Sequence, residues 1–310
     1  MSSTSTPTVF VTSATGTQGT YLCSQLRSLG WSVHATTRSL TSPAAQHLIS
    51  LGVNLSLGNW DDLAALTSAM KGCDMLFLNL LPAFTDISHE RTQAASILSI
   101  AKSAGVKHAI YSSALMVNEP HKLTGITLSP DSLLGQALQS KAAIEQKLKE
   151  EFPNGWTILR GANFMQNFLA PKVAMYPGLV ETNTWTTVLR PDTKLPLVDA
   201  NDIAKFAVAA FQDPERFKGE EVKLAGDELT PDQIVAHLSD ATGREMKMHY
   251  LADEEVEEQA KTSPFMTAQL AVRELWKFVS VEECKGRGIE MNTFREFLVR
   301  EKELVKTTYP

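Results

Sequence analysis

The sequence predicts an α/β fold, with a doubly wound parallel sheet and a smaller C-terminal lobe. Two observations predict it. The first 160 residues alternate short apolar runs of strand-forming residues with segments of helical periodicity, and several of the helical segments end at a glycine. Such alternation is typical of βαβ units, in which helices connect parallel strands and cover both faces of the sheet.

Six strands are predicted in this half of the chain. They are expected at residues 8–12, 32–37, 53–57, 74–80, 108–113 and 156–160. Gly30, Gly72 and Gly105 are expected to end the helices between them, because a glycine in the left-handed conformation commonly follows the last helical turn. A long helix is predicted over 133–151, where Phe152-Pro153 ends it.

The pattern changes after residue 160, where proline and glycine are scattered through a segment that we expect to be a loop or hairpin up to Leu197. A helix over 199–213 and a strand over 221–225 would rejoin the sheet, and the chain from Thr230 onward is mostly helical in pattern. The predicted domains are residues 1–160 with 199–225, and a discontinuous lobe of 161–198 with 226–310. The lobe is expected over the carboxyl ends of the strands, where such sheets bind ligands.

Composition argues against several classes of function. The net charge of −6 does not suit a nucleic-acid surface, and no apolar run approaches the roughly 20 residues of a membrane span. Three distant cysteines and seven scattered histidines predict neither disulfides nor a metal site. We therefore expect a cytoplasmic protein without metal, membrane association or direct contact with nucleic acid, and the oligomeric state stays open.

The turn after the first strand carries the clearest binding signal. It runs Ser13, Ala14, Thr15, Gly16, Thr17, Gln18, Gly19 and opens a helix. Small residues at a helix N-terminus let backbone N–H groups and the helix dipole approach a pyrophosphate. Ser13 stands where a glycine is expected, so it suits the turn only if its φ stays negative or the strain is tolerated.

Segments along most of the chain resemble the NmrA-like family, atypical members of the short-chain dehydrogenase/reductase superfamily with an NAD(P)-binding Rossmann fold. They occur in the order of the family: TSATGTQG, TTRS, LGNWDDLAALTSAMKGCDMLFL, HAIYSSA, SKAAIEQKL, ILRGANFMQNF and LPLVDANDIAKFA. The family has glycine at the position of Ser13. The resemblance implies that the first domain binds a dinucleotide and that the second lobe receives a substrate or a partner.

The expected cofactor is NADP(H). Arg38 follows the second strand with no acidic residue beside it, and an arginine there can pair with the 2′-phosphate that distinguishes NADP from NAD; the alternative is a solvated surface arginine. The resemblance further implies that Asn59 and Trp60 flank the adenine. It also implies that Asn79, Leu80 and Leu81 line the pyrophosphate and the nicotinamide ribose.

Catalytic groups are less clear. The resemblance implies Lys141 at the nicotinamide ribose, with Ser112 or Ser113 beside the substrate. Ala137 stands where conventional members of the superfamily have their proton-donating tyrosine. The alternative for Lys141 is an exposed helical lysine that pairs with Glu145.

Two functions therefore stay open. One is an NADPH-dependent reductase of a small apolar or aromatic molecule; the other is a non-catalytic NADP(H)-binding regulator that acts through a protein partner. A second-lobe pocket would be lined by apolar and aromatic side chains, expected among Phe164, Met165, Phe168, Tyr176 and Trp185.

Overall fold

The computed structural model describes residues 6–81, 86–260 and 266–310. Its strands are β1 (Thr8–Val11), β2 (Ser32–Thr37), β3 (Asn54–Leu57), β4 (Met75–Leu78), β5 (His108–Ala114), β6 (Trp156–Gly161), β7 (Asn163–Phe164), β8 (Thr184–Thr187), β9 (Leu195–Val198), β10 (Glu220–Leu224), β11 (Asp227–Leu229) and β12 (Lys247–Tyr250). Its α-helices are α1 (Thr17–Ser28), α2 (Pro43–Ser50), α3 (Leu63–Met70), α4 (His89–Ala104), α5 (Leu133–Glu151), α6 (Ala200–Gln212), α7 (Pro214–Phe217), α8 (Pro231–Thr242), α9 (Asp253–Ala260), α10 (Met266–Val272), α11 (Val281–Lys285), α12 (Phe294–Arg300) and α13 (Lys302–Thr308). Short 3-10 turns occupy Pro120–Lys122, Met165–Phe168, Lys172–Met175 and Leu275–Lys277.

The central sheet is the parallel α/β sheet that the sequence predicts. It has seven strands in the order β3-β2-β1-β4-β5-β6-β10. The six strands predicted in the first half are all present, and β10 corresponds to the strand expected to rejoin the sheet. Val9 of β1 pairs with Val33 of β2 on one side and Met75 of β4 on the other. Because the strand order reverses between β1 and β4, a crevice is expected at their carboxyl ends.

Two compact units divide the described chain. The first comprises residues up to Ala114, Gln139–Arg160 and Ile203–Val222, and the second comprises Leu115–Leu138, Gly161–Asp202 and Lys223–Pro310. The segment from Leu115 to Leu138 thus belongs to the second unit, although the domains expected from the sequence included it in the first. The predicted division into a cofactor domain and a substrate lobe stays a prediction.

Helix ends in the first unit follow the glycine pattern. Gly30, Gly72 and Gly105 all have positive φ values, of 76°, 77° and 93°. The long helix α5 has the predicted bounds. One face of α4 is buried at residues spaced by three or four positions, which is the period of an amphipathic helix. Local sequence patterns therefore predicted these helix ends and the bounds of α5 correctly.

The second unit differs from the sequence prediction in its strands. In place of a hairpin, β8 pairs in parallel with the distant β12. Strand β9 pairs in parallel with β7 and antiparallel with β11. Strand β12 lies in a region whose pattern was mostly helical. These pairings join residues that are far apart in the chain, so local periodicity carries little information about them.

Within the described ranges, no helix is both long enough and apolar enough to cross a membrane. In the same part of the chain, histidine, cysteine, aspartate and glutamate side chains form no group of three or more that could hold a metal ion. Cys23, Cys73 and Cys284 are buried free thiols.

Candidate functional site

The turn from Ser13 to Gly19 lies at the carboxyl end of β1, at the point where the strand order of the first unit reverses. Ser13 has a φ of +50°, so the strained conformation is the one adopted. Its hydroxyl donates a hydrogen bond of 2.8 Å to the backbone oxygen of Asn79, the residue after β4. Its backbone oxygen accepts from the Gly16 N–H, also at 2.8 Å. The serine is therefore held by contacts that a glycine could make only in part.

Thr12 strengthens the same junction. Its hydroxyl lies 3.1 Å from the Phe77 oxygen and 3.0 Å from the Asn79 oxygen, and it accepts from the Asn79 N–H at 2.7 Å. The ends of β1 and β4 are thus joined by a side chain as well as by strand pairing. This fixes the position of the turn against the sheet.

Gly19 allows α1 to pack directly against the turn. A Cβ atom at this position would lie 2.2 Å from the Ser13 oxygen and 2.6 Å from the Ala14 Cα, both backbone atoms. Gly16 is less restricted, since its nearest neighbour would be the Ser13 oxygen at 3.1 Å. Close packing of the helix on the turn therefore depends on Gly19 in particular.

The N-terminus of α1 suits a phosphate. Gly16 is its N-cap residue and no side chain caps the helix, and no acidic residue lies in the first turn. Gly16 and Thr17 are exposed, while Thr15 and Gln18 are half-buried. Since the first N–H groups of a helix have no partners within the helix, they can donate to an anion together with the positive end of the helix dipole. The residues present fit the pyrophosphate of a dinucleotide.

The residues expected to contact the 2′-phosphate and the adenine differ in exposure and in hydrogen bonding. Arg38 is exposed directly after β2, and no carboxylate of the described residues pairs with it. Asn59 uses its side-chain oxygen locally, accepting from the N–H groups of Asp61 at 2.8 Å and Asp62 at 3.1 Å. Trp60 packs against the core of the first unit while staying partly exposed.

Leu80 and Leu81 differ sharply although they are adjacent. Leu80 is buried in the core cluster of the first unit, whereas Leu81 is 71% exposed. Of these two, only Leu81 has a side chain at the surface that a ligand could contact.

The two serine candidates have opposite environments. The Ser112 hydroxyl donates to the Gln18 side-chain oxygen at 2.7 Å, which connects β5 to the first turn of α1. The Ser113 hydroxyl donates instead to buried Glu145 at 2.6 Å. Successive strand residues point to opposite faces of a sheet, so the two serines could not share one role. The structure joins Ser112 to the predicted turn and places Ser113 among buried ionic groups.

Those ionic groups are centred on Arg160, which is fully buried. Its guanidinium donates to Glu145 at 3.0 and 2.5 Å and to Glu221 at 2.7 Å. The cluster joins α5, β6 and β10. Glu145 thus bonds Arg160 and Ser113, and the alternative pairing of Lys141 with Glu145 is not the one adopted.

Lys141 pairs with a different carboxylate. Its Nζ lies 3.2 Å from Oε1 of Glu90, whose side chain is fully buried, and Ser140 donates to the second Glu90 oxygen at 3.2 Å. The ammonium also lies 5.8 Å from the centre of the Tyr111 ring. Lys141 is only 16% exposed at its side chain. It is therefore a positioned lysine rather than a solvated surface residue.

Tyr111 does not replace the missing tyrosine at position 137. Burial, followed by the charges of Glu90 and Glu145, raises its pKa well above the usual value for a phenol. Its side chain is fully buried, so it does not contact a ligand in this conformation.

Glu90 was not among the residues singled out from sequence. A signal was present, because Glu90 shares a helical face with Ala94, Ile97, Leu98 and Ala101 at the spacing of a buried stripe. A carboxylate on such a face requires a cationic or hydrogen-bonding partner.

The residues expected to line a pocket in the second unit mostly form its core. Met165, Phe168 and Trp185 are 0–2% exposed, and their place in a substrate pocket stays a prediction. Phe168 stacks on Tyr176 at 5.0 Å between ring centroids and meets the edge of Trp185 at 5.2 Å. The physical reason is that aromatic side chains bury more apolar area in mutual contact than in a solvated wall. Phe164 and Tyr176 keep partial exposure.

A family model described as the NmrA-like family matches residues 5–297. The chain belongs to the NmrA-like family. The match extends over the glycine turn, both serines, Lys141 and most of the second unit, so the resemblance noted in short segments holds for nearly the whole sequence.

Proteins similar to this chain are named both as enzymes and as a regulator. An NAD(P)H azoreductase of Xenophilus azovorans is 27% identical over 93% of this chain and 96% of its own. The NADPH-dependent quinone oxidoreductase of Escherichia coli, solved with NADPH, has a TM-score of 0.69 at 22% identity and covers 94% of this chain and 99% of its own. NmrA, a negative transcriptional regulator solved with NADP, has a TM-score of 0.67 at 21% identity and covers 96% and 97%. These structural similarities establish the Rossmann-type fold, and they occur in proteins that hold NADP or NADPH.

Proposed function

We propose that the protein is an NADPH-dependent reductase of a small apolar or aromatic organic molecule. The observation that carries the proposal is the glycine turn at the reversal of strand order, with an uncapped α1 N-terminus and a hydrogen bond from Ser112 to Gln18. Related proteins named as NAD(P)H azoreductase and NADPH-dependent quinone oxidoreductase support it.

Arg38 supports the preference for the phosphorylated cofactor. It is exposed at the end of β2, and no carboxylate follows that strand to accept a ribose hydroxyl. A guanidinium forms paired hydrogen bonds with a phosphate, and the dianionic 2′-phosphate of NADPH would supply that partner. The first N–H groups of α1 would hold the pyrophosphate.

The catalytic groups proposed are Lys141 and Ser112. NADPH supplies a hydride when it is bound. Lys141, held by Glu90, would bind ribose hydroxyls and keep an ammonium proton beside the site, and Ser112 would orient a polar atom of the substrate. Ser113 has no part in this proposal, because its hydroxyl is bound to Glu145. Since Ala137 has no acidic proton, the proton would come from Lys141 or from water.

Ala137 also favours a second candidate, an NADP(H)-binding regulator without turnover that acts through a protein partner. A conventional proton donor is absent at this position, and the structural neighbours include a transcriptional regulator solved with NADP. In that case the fold would bind the cofactor and respond to its redox state.

Calorimetric titration with NADPH, NADP⁺ and NADH tests the shared part of both candidates. We expect the phosphorylated forms to bind more tightly than NADH. Arg38→Ala should remove most of that preference, at a cost of about 1.5–3 kcal/mol, the worth of hydrogen bonds to a charged group. Lys71→Ala, which removes an exposed cation elsewhere in the same unit, is the matched control.

Turnover separates the two candidates. The enzyme predicts oxidation of NADPH when quinones or azo dyes are added, followed at the absorbance of the nicotinamide. Binding of NADPH without turnover across such a panel would favour the regulator. An Arg38→Ala variant with unchanged preference for NADPH would contradict the assignment of the 2′-phosphate site.

A further inference from the structure

A cavity of about 670 Å³ lies within the second unit. We call it the basic cavity and define it by Ile126, Arg190, Lys194, Leu270, Arg273 and Trp276, which all line it. Its volume falls within the range of roughly 300–1,000 Å³ that is usual for small-molecule sites. None of the residues predicted for cofactor or substrate lines it.

Positive charge dominates its lining. The acidic lining residues are Asp192 and Glu274. Glu274 is already engaged, because it accepts from the N–H groups of Thr124 at 2.7 Å and Gly125 at 3.0 Å and pairs with Lys277 at 2.7 Å. Asp192 is therefore the one acidic lining residue left to balance the cations Arg190, Lys194 and Arg273.

Two of those cations have weak partners. Arg190 pairs with Asp253 at 3.3 Å, and Lys194 with Glu228 at 3.6 Å. At both contacts the basic side chain is more than half exposed, and exposed pairs of this kind contribute little energy. Either cation can therefore turn towards a ligand at small cost.

Arg273 differs from the other two cations in its surroundings. It is half-buried, and its Nε donates to the Val188 oxygen at 2.7 Å, which holds the guanidinium in place. Within the described part of the chain no carboxylate pairs with it. Burial, and next the charge of Arg190, lower its pKa, while Asp253 opposes this shift. Arg190 and Arg273 thus line the same cavity, and among the described residues Asp253 is the one carboxylate that pairs with either guanidinium. Such an excess of positive charge favours an anion.

Apolar side chains also line the basic cavity. Trp276 is 48% exposed although it is the largest apolar side chain of the cavity, and Leu270 and Ile126 line the cavity with it. An exposed indole offers a flat face to an aromatic ring, and arginine itself stacks on such rings. The cavity thus combines a planar apolar surface with fixed positive charge.

We propose that the basic cavity binds a small aromatic carboxylate, with the carboxylate on Arg273 and Arg190 and the ring against Trp276. A guanidinium binds a carboxylate through two parallel hydrogen bonds, and the Nε contact leaves the terminal N–H groups of Arg273 for this purpose. The proposal does not depend on the proposed reductase, since every residue in it lies in the second unit.

Calorimetry with 1-naphthoate and its neutral analogue 1-naphthamide, on the full chain, tests the proposal. We expect naphthoate to bind at least about tenfold more tightly, a margin of one charge-assisted contact. Arg273→Gln should weaken naphthoate by about tenfold or more while changing naphthamide little. Arg295→Gln, an exposed arginine of α12 outside the cavity, is the matched control and should leave both affinities unchanged.

Arg190→Gln provides a second variant, because Arg273 also holds the backbone at Val188 and its loss could affect folding. It should weaken naphthoate in the same direction, and circular dichroism checks the fold of each variant. Saturating NADPH should not displace naphthoate.

Four results would each overturn the proposal. They are absence of naphthoate binding, equal affinity for naphthoate and naphthamide, binding that survives both arginine variants, and displacement by NADPH. The NADPH titration of the same variants reports on the proposed function separately, so the two failures are distinguishable.

Discussion

Ser13 and Gly19 show how two residues of one turn meet different demands. A non-glycine residue in the left-handed region costs roughly 1–2 kcal/mol, and the Ser13 hydrogen bond to Asn79 returns about 1 kcal/mol. The strain at Ser13 is therefore largely offset. No comparable contact could offset a side chain at Gly19, because backbone atoms occupy the space.

Gly19→Ala should accordingly damage the turn. The added methyl group would meet the Ser13 oxygen at 2.2 Å, so α1 must move away from the turn. We expect a loss of about 1–3 kcal/mol in the free energy of unfolding, as for overpacked sites, together with weakened NADPH binding. Urea denaturation and calorimetry measure both. Gly286→Ala, where the nearest atom would lie at 3.4 Å, should be nearly neutral; an equal loss there would contradict the packing argument.

Lys141 and Glu90, both in the first unit, form an ion pair in which the carboxylate is fully buried. Lys141→Met alone would leave a buried carboxylate without its ammonium partner, which costs about 3–5 kcal/mol when a buried pair is broken. A stability loss and a catalytic loss would then be confused.

The double variant Lys141→Met/Glu90→Gln separates the two effects. We expect it to recover most of the stability lost in Lys141→Met, because no buried charge remains, while NADPH turnover stays at least about 100-fold below wild type. Steady-state kinetics and thermal unfolding provide the measurements. Wild-type turnover in the double variant would refute a role for the lysine in the reaction.

At the scale of elements, β5 shows why adjacent residues acquire different roles. Its alternation sends Ser112 towards Gln18 and Ser113 towards Glu145. The two-residue period of a strand predicts that only one of the two serines faces the turn. Which serine does so depends on the face of the sheet that α1 covers.

The segment after β5 is attached to β10 by charge, within the second unit. Glu119 pairs with Lys122 and with Lys223 of β10. Hydrogen bonds from these two lysines lower the pKa of Glu119 from 4.5 to about 2. A carboxyl whose pKa is depressed in the folded state stabilises that state above its unfolded pKa, and the contribution is lost as pH falls towards the folded pKa.

Glu119→Gln should therefore destabilise the protein by about 1 kcal/mol at pH 7, allowing for partial exposure. The difference from wild type should shrink between about pH 4.5 and 2, because both side chains are then neutral. Urea denaturation at several pH values measures this. Glu254→Gln, at an exposed position of α9, is the matched control for removing a surface carboxylate; a constant difference for Glu119→Gln would contradict the ion-pair explanation.

At the scale of the whole molecule, each unit is assembled from separate stretches of the chain. The first unit gathers the predicted nucleotide turn, both serines and Lys141, whereas the basic cavity belongs entirely to the second. Ligands of the two sites should therefore stabilise different parts of the chain.

Thermal unfolding checks this expectation. NADPH at 100 times its dissociation constant should stabilise the native state by about 2.7 kcal/mol through binding linkage. NADH at the same concentration should give a smaller shift. Hydrogen exchange should report increased protection in the first unit, and protection confined to the second would contradict the placement of the cofactor.

The sequence by itself determined the α/β alternation, the helix ends at Gly30, Gly72 and Gly105, and the position of the glycine turn. Such features depend on local periodicity and on the conformational freedom of glycine, which short stretches of chain carry within themselves. The family resemblance likewise rested on segments that keep their order along the chain.

Only the tertiary structure decided the partners. It pairs Lys141 with Glu90 rather than Glu145, joins Ser112 rather than Ser113 to the turn, and buries Phe168 and Trp185 in a core. It also brings Arg190 and Arg273 into one cavity from distant parts of the chain. Burial and electrostatic pairing depend on which distant segments pack together, and no local pattern encodes that choice.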